Sequence, residues 1–141
     1  MIHFLAEQQQ IKQILQEAQT IAVVGLSPKP DRPSHQVANY LIAAGYEVIP
    51  VNPGQEKILG QKCYPNLDAI PFHVDVVDIF RSPAYVPPIV EAAVRIRAKV
   101  VWMQVGIVNR AAAAAARAAG LVVIMDRCIK TDHINFGLGS G

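Results

Sequence analysis

The sequence predicts an α/β protein with a doubly wound parallel sheet of five strands, arranged in three layers and preceded by an extra N-terminal helix. Short apolar runs alternate with stretches of helical periodicity, and the linkers between them are mostly short. Hydrophobic residues make up 52% of the chain and charged residues only 17%, which is typical of strands buried on both faces. Right-handed crossovers between successive strands then give the doubly wound arrangement.

The first half of the chain supplies two helices and two strands. Apolar residues at helical spacing predict an amphipathic helix over residues 5–18. The β-branched run over 21–25 is typical of a buried strand that ends at a glycine. Ser34 is a suitable N-cap for the next helix, and Gly45 is placed to end it. The second strand follows over 47–51.

The second half of the chain continues the alternation. Ser82 and Pro83 fit the N-cap and first residue of a helix that runs to about residue 97, although Pro87 and Pro88 favour a later start. The other predicted segments are strands over 74–80, 100–105 and 121–125, a helix over 110–119 capped by Asn109, and a polar tail over 126–141. Because no linker has the composition of a domain boundary, residues 1–141 are expected to form one domain.

Composition and charge argue against several classes of protein. The formal net charge is only +2 and the basic residues form no runs, so we expect no nucleic-acid partner. The apolar runs are far shorter than the roughly 20 residues that cross a bilayer, and the N-terminus lacks a signal-peptide apolar block, so we expect a cytoplasmic protein that does not bind membranes. Cys63 and Cys128 match no metal-binding spacing, which predicts reduced thiols and no metal site.

The loop after the first strand is the strongest candidate for ligand binding. In doubly wound sheets, ligands bind outside the carboxyl ends of the strands, where the strand order reverses. Gly25 ends the strand, and Ser34 opens a helix whose free backbone N–H groups attract anions. Ser27 adds a hydroxyl, and Lys29 and Arg32 add two positive charges. The sequence therefore predicts a phosphate-binding loop.

This loop differs from the dinucleotide-binding fingerprint G-x-G-x-x-G, because its second and third glycines are absent. The second strand also ends in Asn52-Pro53, where an NAD enzyme would place an acidic residue for the ribose hydroxyls. Both departures disfavour an NAD-dependent oxidoreductase. An enzyme that reads a 2′-phosphate through Lys29 or Arg32 stays open as an alternative.

No catalytic constellation is evident in the sequence. Asp75 and Asp78 lie three residues apart in a strand, hence on opposite faces, and cannot act as a pair. His35 is interpreted as a surface or packing residue. Near the last strand, one hypothesis is a nucleophilic pair of Cys128 and His133, and the other is a buried or ligand-facing cysteine, which we favour.

Several segments of the chain resemble the small stand-alone CoA-binding domain proteins of bacteria, which are similar to the N-terminal domain of the succinyl-CoA synthetase α subunit. The segments are 21–30, 33–35, 48–53, Leu59 with Tyr64-Pro65, 78–83, 102–109 and 125–130. The resemblance extends from about residue 15 to residue 133 and implies a Rossmann-like fold with coenzyme A as the ligand.

The resemblance also implies where coenzyme A would lie. The phosphates would contact the loop after the first strand, the adenine or ribose would lie beside the end of the second, and the pantetheine arm would follow the ends of the third and fourth. Cys128 would lie near the thiol, which suggests a mixed disulfide with the ligand. The implied binding residues are Gly25, Ser27, Lys29, Arg32, Ser34, Val51, Asn52, Pro53, Phe80, Arg81, Ser82, Gln104, Gly106, Ile107 and Cys128.

The expected function is binding of coenzyme A or an acyl-CoA without catalysis, as a carrier, a sensor or a partner subunit. The synthetase needs a second domain with a phosphohistidine and a nucleotide-binding β subunit, so thioester synthesis is not expected of this chain alone. Two alternatives stay open. One is an NAD(P)-dependent oxidoreductase or another nucleotide-using enzyme, and the other is a regulatory module that forms a homodimer or binds an unknown protein.

Overall fold

A five-stranded parallel sheet forms the centre of the protein, seen here in a computed structural model that describes residues 2–138. The strands, in chain order, are β1 (Thr20–Val24), β2 (Glu47–Val51), β3 (Lys57–Ile58), β4 (Gln61–Lys62), β5 (Val76–Ile79), β6 (Val100–Met103) and β7 (Val122–Ile124). The helices are α1 (Ile2–Glu17), α2 (Pro33–Ala43), α3 (Val86–Arg95), α4 (Arg110–Ala118) and α5 (Ile129–Asn135). Strands β3 and β4 form a separate antiparallel hairpin.

The strand order of the main sheet is β2-β1-β5-β6-β7, with every pair parallel. The chain therefore leaves β1 for β2 at one edge and returns to the other side of β1 with β5. The order reverses between β1 and β5, so the carboxyl ends of these strands flank the switch point at which such sheets bind ligands. The structure confirms the predicted fold class.

Two apolar cores lie on opposite faces of this sheet and give the three layers. One face packs against α3 and α4, and it buries Val24, Ile79 and Met103. The other packs against α1, α2 and α5, and it buries Trp102 and Ile124. Alternate residues of each strand face the two cores, because side chains alternate between the faces of a sheet. Among the described residues, no helix combines the length and apolar character needed to span a bilayer.

One predicted helix start is wrong, and the start at Ser82 and Pro83 is that of a 3₁₀ turn and not of the α-helix. Helix α2 begins at Pro33 with Arg32 as its N-cap, so Ser34 is not the cap. The Ser34 hydroxyl instead accepts a hydrogen bond from the Ser27 backbone N–H at 3.0 Å, which ties the helix to the preceding loop. A 3₁₀ turn over Pro83–Tyr85 follows Ser82, and α3 begins only at Val86. The later start is the one that Pro87 and Pro88 favour.

The predicted polar tail is wrong as well, because it contains α5. Ile129 is fully buried against the sheet, and neighbouring contacts fix the segment before the helix. The Trp102 indole Nε1 donates to the Arg127 carbonyl at 2.8 Å, and the Gln104 Oε1 accepts from the Ile129 N–H at 3.2 Å. These partners are distant in sequence, so local periodicity did not reveal the helix. Residues 139–141 lie outside the described part of the chain.

His133 joins α5 to α2 in a buried aromatic cluster. Its side chain is only 3% exposed, and its Nδ1 lies 2.7 Å from the Tyr40 hydroxyl. The rings of Tyr40 and Tyr46 meet it edge-on at centroid distances of 5.4 and 5.6 Å. Burial lowers the pKa of the His133 imidazole, because the charged form loses its hydration.

We expect this histidine to make the free energy of unfolding decrease as the pH is lowered. The unfolded chain binds a proton at about pH 6.5, whereas folded His133 resists it. The free energy of unfolding is thus at its full value above that pH and decreases as the pH falls toward the folded-state pKa. Urea unfolding of His133→Gln, which keeps a hydrogen-bonding group without a titration, should show a shallower pH dependence between about pH 8 and 5. Parallel curves for both proteins would contradict this role.

Candidate functional site

The loop between β1 and α2 turns sharply at Gly25 and is braced by its own polar groups. Gly25 has a φ of +86° and donates its N–H to the Val51 carbonyl at 3.0 Å. The Ser27 hydroxyl accepts from the Lys29 N–H at 3.1 Å, and the Ser27 carbonyl lies 2.9 Å from the His35 Nδ1. His35 therefore packs against the loop, which agrees with its interpretation from the sequence as a surface or packing residue. The free N–H groups of the first turn of α2 lie directly after this braced loop.

A cleft of about 560 Å³ opens beside Gly25, between α3 and the segment that follows β2. Of the residues singled out in the sequence, it is lined by Gly25, Val51, Asn52, Pro53 and Arg81. The remaining lining residues were not found by sequence reasoning; they are Val24, Pro65, Asn66, Leu67, Asp68, Tyr85, Pro88, Ile89, Ala92 and Arg95. The helical spacing of Pro88, Ala92 and Arg95 was the available signal, since it places them on one side of α3.

Arg81 lies against the turn at Gly25. A Cβ on Gly25 would lie 2.9 Å from the Arg81 Cδ, so the glycine leaves the space that this side chain occupies. The Arg81 guanidinium stacks over the Tyr85 ring at 4.5 Å from its centroid. Within the described residues, Arg81 takes part in no ion pair, and it is one of the residues that line the cleft.

Arg95 and Asp68 form an ion pair at another part of the cleft lining. The Arg95 Nη2 lies 2.8 Å from the Asp68 Oδ2, and the Nε lies 3.2 Å from the Oδ1. The hydrogen bonds from Arg95 lower the pKa of Asp68, so the carboxylate stays charged. Both side chains are about half exposed, which leaves the pair accessible to a ligand.

The other residues implied by the resemblance do not line this cleft. Lys29 and Arg32 are exposed on the loop, and so is Ser82 at the end of β5. Phe80, Gln104 and Cys128 lie on the sheet face covered by α1, α2 and α5, whereas Ile107 packs against the opposite core. The structure thus gathers these residues near the strand ends without placing them in one cavity.

The hypothesis of a Cys128–His133 pair is not supported by the geometry. His133 is hydrogen-bonded to Tyr40 inside the aromatic cluster. Cys128 is partly buried, and although burial opposes its ionisation, hydrogen bonds from Thr131, Gln104 and Lys130 outweigh this effect and lower its pKa. The contacts show a partly buried cysteine, and its place beside a ligand stays a prediction.

Asp75 and Asp78 also lie apart, as expected from their spacing. The Asp75 carboxylate accepts hydrogen bonds from the backbone N–H groups of Gln19 and Thr20, at the amino end of β1. Asp78 lies inside β5 with no exposure to solvent. The two carboxyl groups cannot act as a pair.

A family model described as "CoA binding domain" matches residues 19–134, which include β1, the loop, the cleft and all but the last residue of α5. The chain belongs to this family. The matched range agrees with the extent of the resemblance seen in the sequence.

Individual relatives agree with this assignment. The chain is 44% identical to the uncharacterized protein YneT of Bacillus subtilis over 124 residues, which are 88% of this chain and 92% of that protein. A hypothetical protein from Pyrococcus horikoshii has the same fold, with a TM-score of 0.89, 43% identity and coverage of 91% of this chain and 90% of that one. An ADP-forming acetate–CoA ligase of Archaeoglobus fulgidus is 37% identical over 75 residues, covering 52% of this chain but only 11% of the ligase.

We expect Gly25→Ala to destabilise the protein more than a glycine replacement elsewhere. A Cβ at Gly25 would meet the Phe80 carbonyl oxygen at 2.8 Å, in addition to the left-handed backbone. Gly120 has a similar φ of +92° with no atom within 4 Å of its Cβ position, so Gly120→Ala is the matched control. The control should cost about 1–2 kcal/mol in urea unfolding, and Gly25→Ala clearly more. Equal losses of unfolding free energy in the two variants would show that the close approach of Gly25 to the Phe80 carbonyl does not affect stability.

Proposed function

We propose that this protein binds coenzyme A, or an acyl-CoA, across the carboxyl ends of its strands. The observation that carries the proposal is the cleft beside Gly25, which is lined by a partly buried Arg81 that forms no ion pair among the described residues. The loop that begins at Gly25 leads to the first turn of α2. Free N–H groups at a helix start and an arginine fork both bind phosphate. Membership of the CoA-binding domain family supports the identity of the ligand.

In this proposal the ligand lies with its pyrophosphate at the loop from Gly25 to Ser34. The adenosine occupies the cleft next to Val51, Asn52 and Pro53, where apolar side chains from α3 and Leu67 give a surface for the flat base. The pantetheine arm runs over the ends of β5 and β6, past Ser82, Gln104, Gly106 and Ile107. Its thiol then lies towards Cys128.

The proposed role is binding without catalysis, as a carrier, a sensor or a partner subunit. The described residues near the strand ends supply phosphate-binding and apolar groups, whereas the hypothesised Cys–His pair is not formed. The 75 residues that match the acetate–CoA ligase correspond to 11% of that enzyme. Supplying a coenzyme A site to a separate catalytic subunit is therefore one form of this role.

Titration calorimetry of the purified protein with coenzyme A, at physiological salt, tests the function. We expect a saturable heat signal with one ligand per chain, because the chain has one switch point. NADPH serves as the competing ligand for the alternative of a nucleotide-using enzyme. Absence of binding by a folded sample, or binding of NADPH in place of coenzyme A, would refute the proposal.

Replacing Arg81 should weaken coenzyme A more than replacing the exposed cations of the loop. A charge-assisted contact in a partly buried cleft is worth about 1.5–3 kcal/mol, so Arg81→Ala should raise the Kd by roughly tenfold or more. Exposed contacts are worth about 0.2–1 kcal/mol each, so Lys29→Ala with Arg32→Ala should have a smaller effect. Lys12→Ala, an exposed charge on α1, is the control.

Dephospho-CoA separates the two phosphate groups in the same experiment. If Lys29 or Arg32 contacts the 3′-phosphate, the double variant loses affinity for coenzyme A but not for dephospho-CoA. An equal loss for both ligands would place these side chains at the pyrophosphate. A larger loss in the double variant than in Arg81→Ala would contradict the central place given to Arg81.

A further inference from the structure

Asp78 is the most unusual polar residue in the described structure. Its side chain is fully buried, and neither carboxyl oxygen has a hydrogen-bond partner. An unpaired buried carboxylate is very costly, because burial removes the water that stabilises its charge. Native structures retain such a group mainly where it has a function, so Asp78 calls for a specific explanation.

The sheet register places Asp78 on the same face as Cys128. Asp78 pairs with Trp102 across β5 and β6, and the Trp102 indole holds the Arg127 carbonyl. Gln104, two residues further along β6, holds the Ile129 N–H. Cys128 lies between these two anchored residues, above the face from which the Asp78 side chain projects. The acid and the thiol are therefore close neighbours at the carboxyl end of the sheet.

The environment brings the proton affinities of the two groups together. In water a carboxyl group and a thiol differ by about four to five pKa units. Burial holds the pKa of Asp78 well above its usual range, and the charge of a Cys128 thiolate raises it further. For Cys128, hydrogen bonds outweigh the effect of burial and lower the pKa. Two neighbouring groups whose charges oppose each other's ionisation lose their protons as a coupled pair.

The other ionisable groups around this pair already have partners. Arg127 contacts Asp132 at 2.8 Å and Glu7 of α1 at 3.7 Å. On α5, His133 is hydrogen-bonded to Tyr40 of α2, and the Lys130 ammonium lies over the ring of the same tyrosine. The remaining neighbours are His35, which contacts the Ser27 carbonyl, and Asp126, which is exposed and accepts from the Gly106 N–H. None of these contacts involves the Asp78 carboxyl.

We propose that Asp78 and Cys128 share one proton and make Cys128 a site of reversible mixed-disulfide formation by exchange with small disulfides. The state with a thiolate on Cys128 and a protonated Asp78 is the reactive one. The thiolate attacks a sulfur of a small disulfide, forming the bond between Cys128 and one half while the disulfide bond breaks. The other half leaves as a thiolate with the bonding electron pair and takes a proton from water, and Asp78 keeps its own.

The disulfide is both the oxidant and the source of the group that is attached. Cys63 is the contrasting thiol of the chain, because it is buried and burial raises its pKa. The pairing does not depend on coenzyme A binding as such. If the proposed function holds, the disulfide of coenzyme A is the preferred reagent, because its thiol end is delivered to Cys128.

The pH profile of the reaction tests the shared proton. In a Cys63→Ser background, the rate with glutathione disulfide should rise in two steps with pH, because the second charge enters a space that already holds one. Adding Asp78→Asn, which keeps the shape without the charge, should leave a single step. If the proton is shared equally, the rate between the two steps rises about twofold in this variant. Identical profiles with and without Asp78 would overturn the proposal.

A control variant and an independent spectroscopic measurement accompany this test. Asp126→Asn removes a solvent-exposed charge two residues from Cys128 and should keep both steps, so the loss of one there would also overturn the proposal. Infrared spectroscopy of the unaltered protein should show a protonated carboxylic acid at neutral pH, and Cys128→Ser should make it ionise at lower pH. Absence of that acid band refutes the shared proton even if Asp78→Asn does not fold.

Comparison of two disulfides separates this inference from the proposed function. Reaction with glutathione disulfide tests the Asp78–Cys128 pair alone. A faster reaction with the disulfide of coenzyme A, lost on addition of excess desulfo-CoA, which has no thiol, requires the binding site as well. A two-step pH profile without a faster reaction of the coenzyme A disulfide would support the shared proton of Asp78 and Cys128. The same result would count against coenzyme A as the ligand.

Discussion

The position of β1 between β2 and β5 is the constraint on which the site depends. It pairs with β2 on one side and with β5 on the other, so the chain must leave its carboxyl end at the point where the strand order reverses. The neighbouring Phe80 carbonyl and Arg81 side chain allow no Cβ at the first residue of that exit. A glycine there lets the backbone turn into the loop that leads to α2, and the Arg81 side chain lies against that turn.

The connection between β2 and β5 gives the site its second wall. A hairpin and a 3₁₀ turn over Leu67–Ala69 occupy this connection instead of the helix usual in a crossover. The segment covers part of the sheet through Leu67 and Ile70, and the cleft remains between it and α3. The charged side chains of Asp68 and Arg95 lie at this boundary between the 3₁₀ turn and α3.

The sequence predicted the features that depend on local pattern. The β-branched runs identified all five strands of the main sheet, and Asn109 was correctly placed as the cap of α4, where its side chain accepts from the Ala112 N–H. Features that depend on distant contacts were missed. Helix α5 is held by contacts of the preceding residues with Trp102 and Gln104. The Ser34 hydroxyl accepts a hydrogen bond from the Ser27 N–H and does not cap the start of α2. Arg95 was not singled out, because only the fold brings it next to Asp68 and the cleft.

The missing crossover helix has a consequence for the stability of the whole molecule. Val24, Val51, Leu67 and Ala92 belong at once to the apolar core and to the lining of the cleft. The layer on the α3 and α4 face of the sheet is thus incomplete, and a bound molecule would cover the core residues that it leaves open to the cleft. Any ligand that binds only the folded chain raises the free energy of unfolding by mass action, and here it would do so by covering core residues directly. Occupancy of the cleft and resistance to unfolding are therefore two measures of the same event.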